Sequence, residues 1–357
     1  MPTNVLFVIG NGFDLNMGLK TSYGDFYKEY CQNDTNDSDI VKRFKTQILN
    51  DNQQDWKDFE LGLGEHSTDF NSAEDFLTCH NDFVKKFQIY LEQECSNIDY
   101  DNMDEMAKNK WFYHSIVLFW KYIKTVPTKK FDNKFINKKS SGLHIYFLQF
   151  NYTNVFYELL GICKKPRIMK LKTFIALWPH VHGKINYYMT IGVNDITQIK
   201  NNAIKDDIRE FFVKKEYWRK LQTQDVNFPV SMITGINTIK KTHIFCLFGT
   251  SIGETDKHWW ERIGKRLKST KQTIIIIFDK CDGLADSTLP EDVRKNEQLR
   301  QARTDEIKNR FIELSNLKQE WLNNNPNRII IELNSTMFDF KLPRKTTTKI
   351  QKLGKSV

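Results

Sequence analysis

The stretch VLFVIGNGFDLNMGLKTSYGDF, Val5 to Phe26, decides how the rest of the chain is read. Five apolar residues, Val5 to Ile9, make a strand-like run. Gly10-Asn11-Gly12 follows at once, and Gly18 comes six residues after Gly12. Two glycines straight after a strand have two physical readings. One is a tight turn that holds no ligand. The other is a backbone that must come close to a phosphate, where any Cβ would be in the way. A lone GxG does not separate them, so the rest of the chain has to.

The 357 residues make one large domain or two ordinary ones. An apolar content of 40% with 13% aromatics fills a sizeable core and excludes general disorder. Six cysteines are scattered without a CxxC pair, there is no signal peptide, and no apolar run is long enough to span a bilayer. The expectation is a cytoplasmic, reduced protein without a membrane partner, its cysteines ordinary small apolar residues. Net charge is +9. Lys341, Arg344, Lys345, Lys349, Lys352 and Lys355 fall in the last 17 residues with no acid among them. This tail, 341–357, reads as a solvated, frayed end, with nucleic-acid contact as the weaker alternative.

Strands and helices then alternate. Strand-like runs are expected at Val5–Ile9, Leu143–Phe150, Ile168–Leu177, Tyr187–Val193, His243–Phe248, Thr273–Phe278 and Arg328–Leu333. Tyr23 to Tyr122 has Phe and Trp at helical spacing, and Asp305–Trp321 reads as an amphipathic helix. Near-continuous apolar strands imply a parallel sheet covered on both faces. The fold class expected is α/β: a doubly wound, Rossmann-like, mostly parallel sheet with a helical insertion after the first βα unit. The core would take 1–30 and 140–335, and the insertion 31–139.

In such folds ligands sit beyond the carboxyl ends of the strands. Those ends carry Gly10-Asn11-Gly12-Phe13-Asp14, Asn151-Tyr152-Thr153, His180 and His182-Gly183, and Gly249-Thr250-Ser251 with Glu254. Each has a plainer alternative. Asn151 suits a helix N-cap. Ser251-x-x-Glu254 suits a capping box. His180-x-His182 suits two residues on one strand face or half a metal site, but no third ligand lies at recognisable spacing, so no metal is expected. Trp56-x-x-Phe59-Glu60-x-x-Leu63 reads as one core-facing side of a helix.

Together NVLFVIGNGFDLNMGLKTSYGDFY, DWKDFE, FNYTNVFYE, HVHGKI and LFGTSIGETD closely resemble the AbiH family of phage abortive-infection proteins, in the family's order and up to about Gly264. A more distant resemblance is to sirtuins and sirtuin-like bacterial defence NADases. Gly10-Asn11-Gly12 and Gly18-Leu19-Lys20 are similar to their Gly-Ala-Gly loop and Gly-Ile-Pro segment, and Phe150-Asn151-Tyr152 to the Asn-bearing stretch after a later strand. His182-Gly183 matches their His-Gly pair, and Gly249-Thr250-Ser251 the loop that holds the adenosine ribose. The four-cysteine zinc module of the deacylases has no counterpart, which argues against a peptide deacylase. Lys20-Thr21-Ser22-Tyr23 and Thr153 stand where the sirtuins place nicotinamide contacts. NAD, ADP-ribose and related nucleotides therefore all stay open as ligands.

What the resemblance implies is an NADase that depletes NAD on infection. Gly10, Asn11, Gly12, Phe13, Asp14, Gly18, Thr21, Gly249, Thr250, Ser251 and Glu254 would bind the nucleotide. Asn151 and His182 would be catalytic, with His182 the base and Asn151 positioning the substrate. A nucleotide-sensing module acting through partners is the alternative, and a nucleic-acid-targeting protein a third. The phage trigger is not legible, and a homo-oligomer is compatible with the sequence.

Overall fold

A computed structural model describes residues 2–32, 37–50, 59–103, 115–116, 119, 143–162, 173–217, 219 and 235–345. Six strands form one all-parallel sheet: β1 Thr3–Ile9, β2 Leu143–Gln149, β3 Thr173–His180, β4 Ile244–Phe248, β5 Ile274–Asp279 and β6 Ile329–Leu333. Their order, β3-β2-β1-β4-β5-β6, is that of a doubly wound Rossmann-like sheet. β1 is apolar on both faces because helices cover both. Val5, Phe7 and Ile9 enter one buried cluster, Leu6 and Val8 the other.

The register brings the strand ends to one level. Ile9 pairs with both Gln149 and Phe248, and Gln149 pairs with His180. Gly10, Phe150 and Gly249 thus leave the sheet side by side. The strand order reverses where β2 and β4 flank β1, and in such folds this switch point at the carboxyl edge is where a ligand crevice lies.

Ten helices are used below: α1 Gly12–Asn16, α2 Tyr23–Tyr30, α3 Asp39–Asn50, α4 Phe59–His66, α5 Ala73–Ser96, α6 Val155–Ile162, α7 Lys205–Phe212, α8 Lys257–Ser269, α9 Pro290–Leu314 and α10 Gln319–Asn324. Helices α3 to α5 fall within the expected insertion, 31–139, and pack with α2, which precedes it. Ser22 and Ser72 cap α2 and α5, each accepting from the backbone N–H three residues on. Phe26, Tyr30, Phe59, Phe83 and Phe87 form the aromatic centre, with Phe59 and Phe83 stacked at 4.7 Å. This lobe also takes in Met189, Ile191, Val193, Ile208 and Phe212 from beyond β3.

Three sequence expectations change. Tyr187–Val193 is not a strand: Asn186 and Tyr188 have φ of 61° and 52°, which folds the chain into a tight turn bridged between Lys184 and Tyr187. The helix expected at Asp305–Trp321 begins at Pro290 and stops at Leu314, where Asn316 turns left-handed at φ 54° before α10. In the third strand, the run from Ile168 to Lys172 lies outside the described residues.

The start of the basic tail is docked rather than frayed. Leu342 is buried beside Met337 and Phe338 in the core, and its N–H bonds to Met17 O. Arg344 pairs with Glu94, and Lys341 Nζ donates to Asn16 O. Of the six basic residues, Lys349, Lys352 and Lys355 lie outside the described residues. Leu342→Ala should therefore cost about 2–3 kcal/mol, as for other buried leucines, read as a lower denaturation midpoint. A midpoint unchanged from wild type would show that the tail does not pack.

Candidate functional site

The two glycine loops meet each other at the switch point. Gly10 N donates to Phe248 O and Gly12 N to Gly249 O, both at 2.9 Å. A Cβ on Gly10 would lie 2.4 Å from Gly249 O, and one on Gly12 would lie 2.5 Å from Gly249 Cα. Gly249 itself has φ 67°, and a Cβ there would strike Phe13 N at 2.5 Å. Backbone packs on backbone, so these three glycines have a structural reason independent of any ligand. Beyond Gly249, Ile252 is held at φ 50°, a strained conformation for a β-branched residue. Arg310 Nε donates to Ile252 O at 2.8 Å, and Trp260 Nε1 donates to Gly253 O at 2.9 Å, which fixes the loop from α9 and α8.

Behind the first loop, Asp14 is fully buried. Thr153 Oγ1 donates to its Oδ2 at 2.6 Å, and Asn151 Nδ2 to its Oδ1 at 3.1 Å. Burial pushes its pKa up to about 7 against the lowering effect of those two bonds. Asn151 is buried as well, and its Oδ1 has no hydrogen-bond partner among the described residues. His180 Nδ1 donates to Asn151 O at 2.6 Å, and burial lowers the His180 pKa to about 4.

On the other side of this strand end, Phe150 and Tyr152 pack against the His182 ring, with centroids at 5.1 and 6.4 Å. Side chains alternate through this bend: 151 and 153 turn to Asp14, 150 and 152 to His182. His182 Nε2 lies 3.0 Å from Asp256 Oδ1. Lys214 Nζ sits between Asp256 Oδ1 at 3.2 Å and Glu60 Oε2 at 2.7 Å. Tyr152 and Tyr23 both donate to Glu60 Oε1, at 3.2 and 3.3 Å. Burial would raise the Asp256 pKa, but Lys214 and then His182 outweigh it and hold the carboxyl well below its usual range. Asp256 and Glu60 in turn hold the Lys214 ammonium charged against its burial. Asp256 stands at the N-cap of α8, yet its side chain makes no cap bond there; the carboxylate faces His182 and Lys214 instead.

A family model for bacteriophage abortive infection AbiH matches residues 6–278. The chain belongs to the AbiH family. No curated protein matches it. The matched span contains the glycine loops, Asp14, Asn151, His182, Lys214 and Asp256 and ends on β5; Arg310, which braces the loop at Ile252, lies beyond it.

The expected site residues fall into groups. Asn11 and Thr21 bond to each other, with Thr21 Oγ1 donating to Asn11 Oδ1 at 2.7 Å and Asn11 Nδ2 to Thr21 O at 3.0 Å. Phe13 is buried in the core against Phe156 and Phe338, and Gly18 ends α1 at φ 86°. Thr250 is half-buried and Ser251 exposed. Two plainer readings are overturned. Asn151 caps no helix, since α6 begins at Val155 and its amide turns to Asp14. Ser251 and Glu254 form no capping box, because Gly253 is the residue before the turn at Glu254–Asp256 and no side chain caps it.

Asp256, Lys214 and Glu60 were missed. Asp256 was adjacent to a clue: it closes the LFGTSIGETD motif two residues after Glu254, which drew attention as half of a capping box. Glu60 was read as part of an apolar helix face; the charge flanked by Phe59 and Leu63 was the signal. Lys214 had no local signal, because only the fold brings it to residues 42 and 154 positions away.

Gly12→Ala should destabilise by several kcal/mol, since no side chain can yield to the new Cβ, whereas Gly62→Ala, with open space around a helical glycine, should gain up to about 1 kcal/mol. Equal effects in chemical denaturation would refute the loop contact. The Asp14 carboxyl, raised to about 7 when folded, stays protonated from about pH 4 to 7 while the unfolded chain ionises. Its contribution to stability falls with rising pH across that window and is level above it. His180, lowered to about 4, works oppositely: its contribution is lost as pH falls from 6.5 towards 4. The stability gain of Asp14→Asn over wild type should therefore grow between pH 4 and 7 and then level off. A gain independent of pH would show that Asp14 is not protonated in the fold.

Proposed function

We propose that this AbiH protein binds NAD at the switch-point crevice and hydrolyses its nicotinamide–ribose bond, depleting NAD during phage infection. The observation that carries the reading is the His182–Asp256 pair. His182 Nε2 lies 3.0 Å from the half-buried, ionised Asp256 carboxylate, close enough for that negative charge to stabilise the ring as it takes up a proton in the reaction. The sheet order, the paired glycine loops and the resemblance to sirtuin-like NADases support a nucleotide in the same crevice.

In the reaction the C1′–N bond breaks and its electron pair leaves with neutral nicotinamide. Positive charge spreads over the ribose C1′ and ring oxygen, as in glycoside hydrolysis. Water attacks C1′, and its proton passes to His182. Nicotinamide is a good leaving group without protonation, so a strong acid is not required. Asp256 stabilises the imidazolium, and Lys214 and Glu60 keep that carboxylate in place. Asn151 orients the ribose.

Purified protein given NAD should release nicotinamide. His182→Ala and Asp256→Asn should each lower turnover about a hundredfold or more, and the double variant should lose little beyond that, as for residues acting as one unit. Melting temperatures measured alongside separate loss of chemistry from loss of fold. Folded His182→Ala with near wild-type turnover would sink the assignment. Tight nucleotide binding with no turnover in the wild type would favour the sensor alternative.

A further inference from the structure

Asp14 was expected to touch the nucleotide. The structure places it one layer back, fully buried, with each carboxyl oxygen engaged. That arrangement has a directional consequence. Thr153 Oγ1 donates to Oδ2 and Asn151 Nδ2 donates to Oδ1, so both carboxyl oxygens act as acceptors. The group facing Oδ1 is thus the donor end of the Asn151 amide. The amide is planar and rigid, so fixing Nδ2 on Asp14 turns Oδ1 away from it. That oxygen is buried and has no partner among the described residues. Two residues earlier at the same sheet edge, Gln149 Oε1 is also buried without a partner among them. Nearly all buried polar atoms in folded proteins are paired, and here two amide acceptors are left open where β2 meets the crevice.

We propose that Asp14 is a positioning residue: with Thr153 it fixes the Asn151 amide so that Oδ1, beside Gln149, accepts a hydrogen bond from a ligand hydroxyl. The inference rests on the reading that the crevice binds a nucleotide, and it assigns this part of the crevice to the sugar. A phosphate oxygen would bring acceptor against acceptor, whereas a ribose hydroxyl brings a donor. Asp14 acts through Asn151 and touches no ligand atom. An amide at position 14 can do the same work, offering its oxygen to Asn151 Nδ2 and its nitrogen to Thr153 Oγ1. An alanine cannot.

The test follows the Asn151 side-chain NH2 signals in protein carrying 15N-asparagine, assigned by their loss in Asn151→Ala, together with nicotinamide release from NAD. In wild type the NH2 protons should exchange slowly with solvent. Asp14→Ala should speed their exchange and lower turnover, each tenfold or more, and Asp14→Asn should recover both. Thr153→Val, which removes one of the two donors and leaves Asn151 in contact with Asp14, should give a smaller change in the same direction and serves if Asp14→Ala does not fold. Unchanged NH2 exchange in folded Asp14→Ala, or in Thr153→Val where that variant stands in, would overturn the proposal. Exchange that responds as expected in a protein releasing no nicotinamide would support the positioning role and overturn the hydrolase reading instead.

Discussion

Everything at the carboxyl edge depends on the direct contact of two backbones, Gly10–Gly12 after β1 and Gly249 after β4. The contact fixes the distance between the loops on either side of the switch point. It sets the start of α1, and through it the place of Asp14 and then of Asn151. On the other side it sets the path from Gly249 through strained Ile252 to Asp256. Neither Asn151 nor Asp256 is placed by its own loop alone. Both are placed by how closely two strands' ends can approach when no Cβ intervenes.

A second constraint is electrical. Glu60 comes from the helical insertion, Lys214 from the segment after α7, and Asp256 from the loop after β4. One buried ammonium satisfies carboxylates from two layers of the molecule. Such a chain adds little net stability over an apolar contact, but removing one member leaves a buried charge uncompensated. Its effect is specificity of arrangement: the insertion is held where Tyr152 and Tyr23 reach Glu60, and Tyr152 in turn packs against His182. The insertion is thus part of the site's wall rather than an appendage to the sheet.

The fold was legible because it rests on local patterns. Apolar runs such as Ile274–Phe278 and the glycines after Ile9 and Phe248 mark the strands and their ends without reference to anything distant. The site was legible only in part. Asn151 and His182 stand at strand ends and could be picked by position. Asp256 drew no reading of its own, since the capping-box pattern fell on Ser251 and Glu254; that its carboxylate lies 3.0 Å from His182, just beyond the end of β3, is visible only in three dimensions. Asp14 and Thr153 were each noticed, but their mutual bond spans 139 residues and no spacing rule connects them. Tyr187–Val193 failed as a strand for the converse reason. Its apolar residues are real core residues, but they belong to the helical lobe.

That lobe is assembled from two stretches, Phe26 to Leu91 and Met189 to Val213, and β1 lies between strands that begin at Leu143 and Ile244. The order of synthesis therefore runs against the order of assembly. The first strand leaves the ribosome long before either neighbour exists, and the aromatic helices after it must wait for some hundred further residues to close their own core. At about 5–20 residues per second, β1 spends roughly seven to thirty seconds with no partner strand and roughly ten to fifty seconds with the edge that β4 covers still open. For this chain the hazard of misassociation is concentrated at the N-terminus and during translation, and it ends only when β4 arrives.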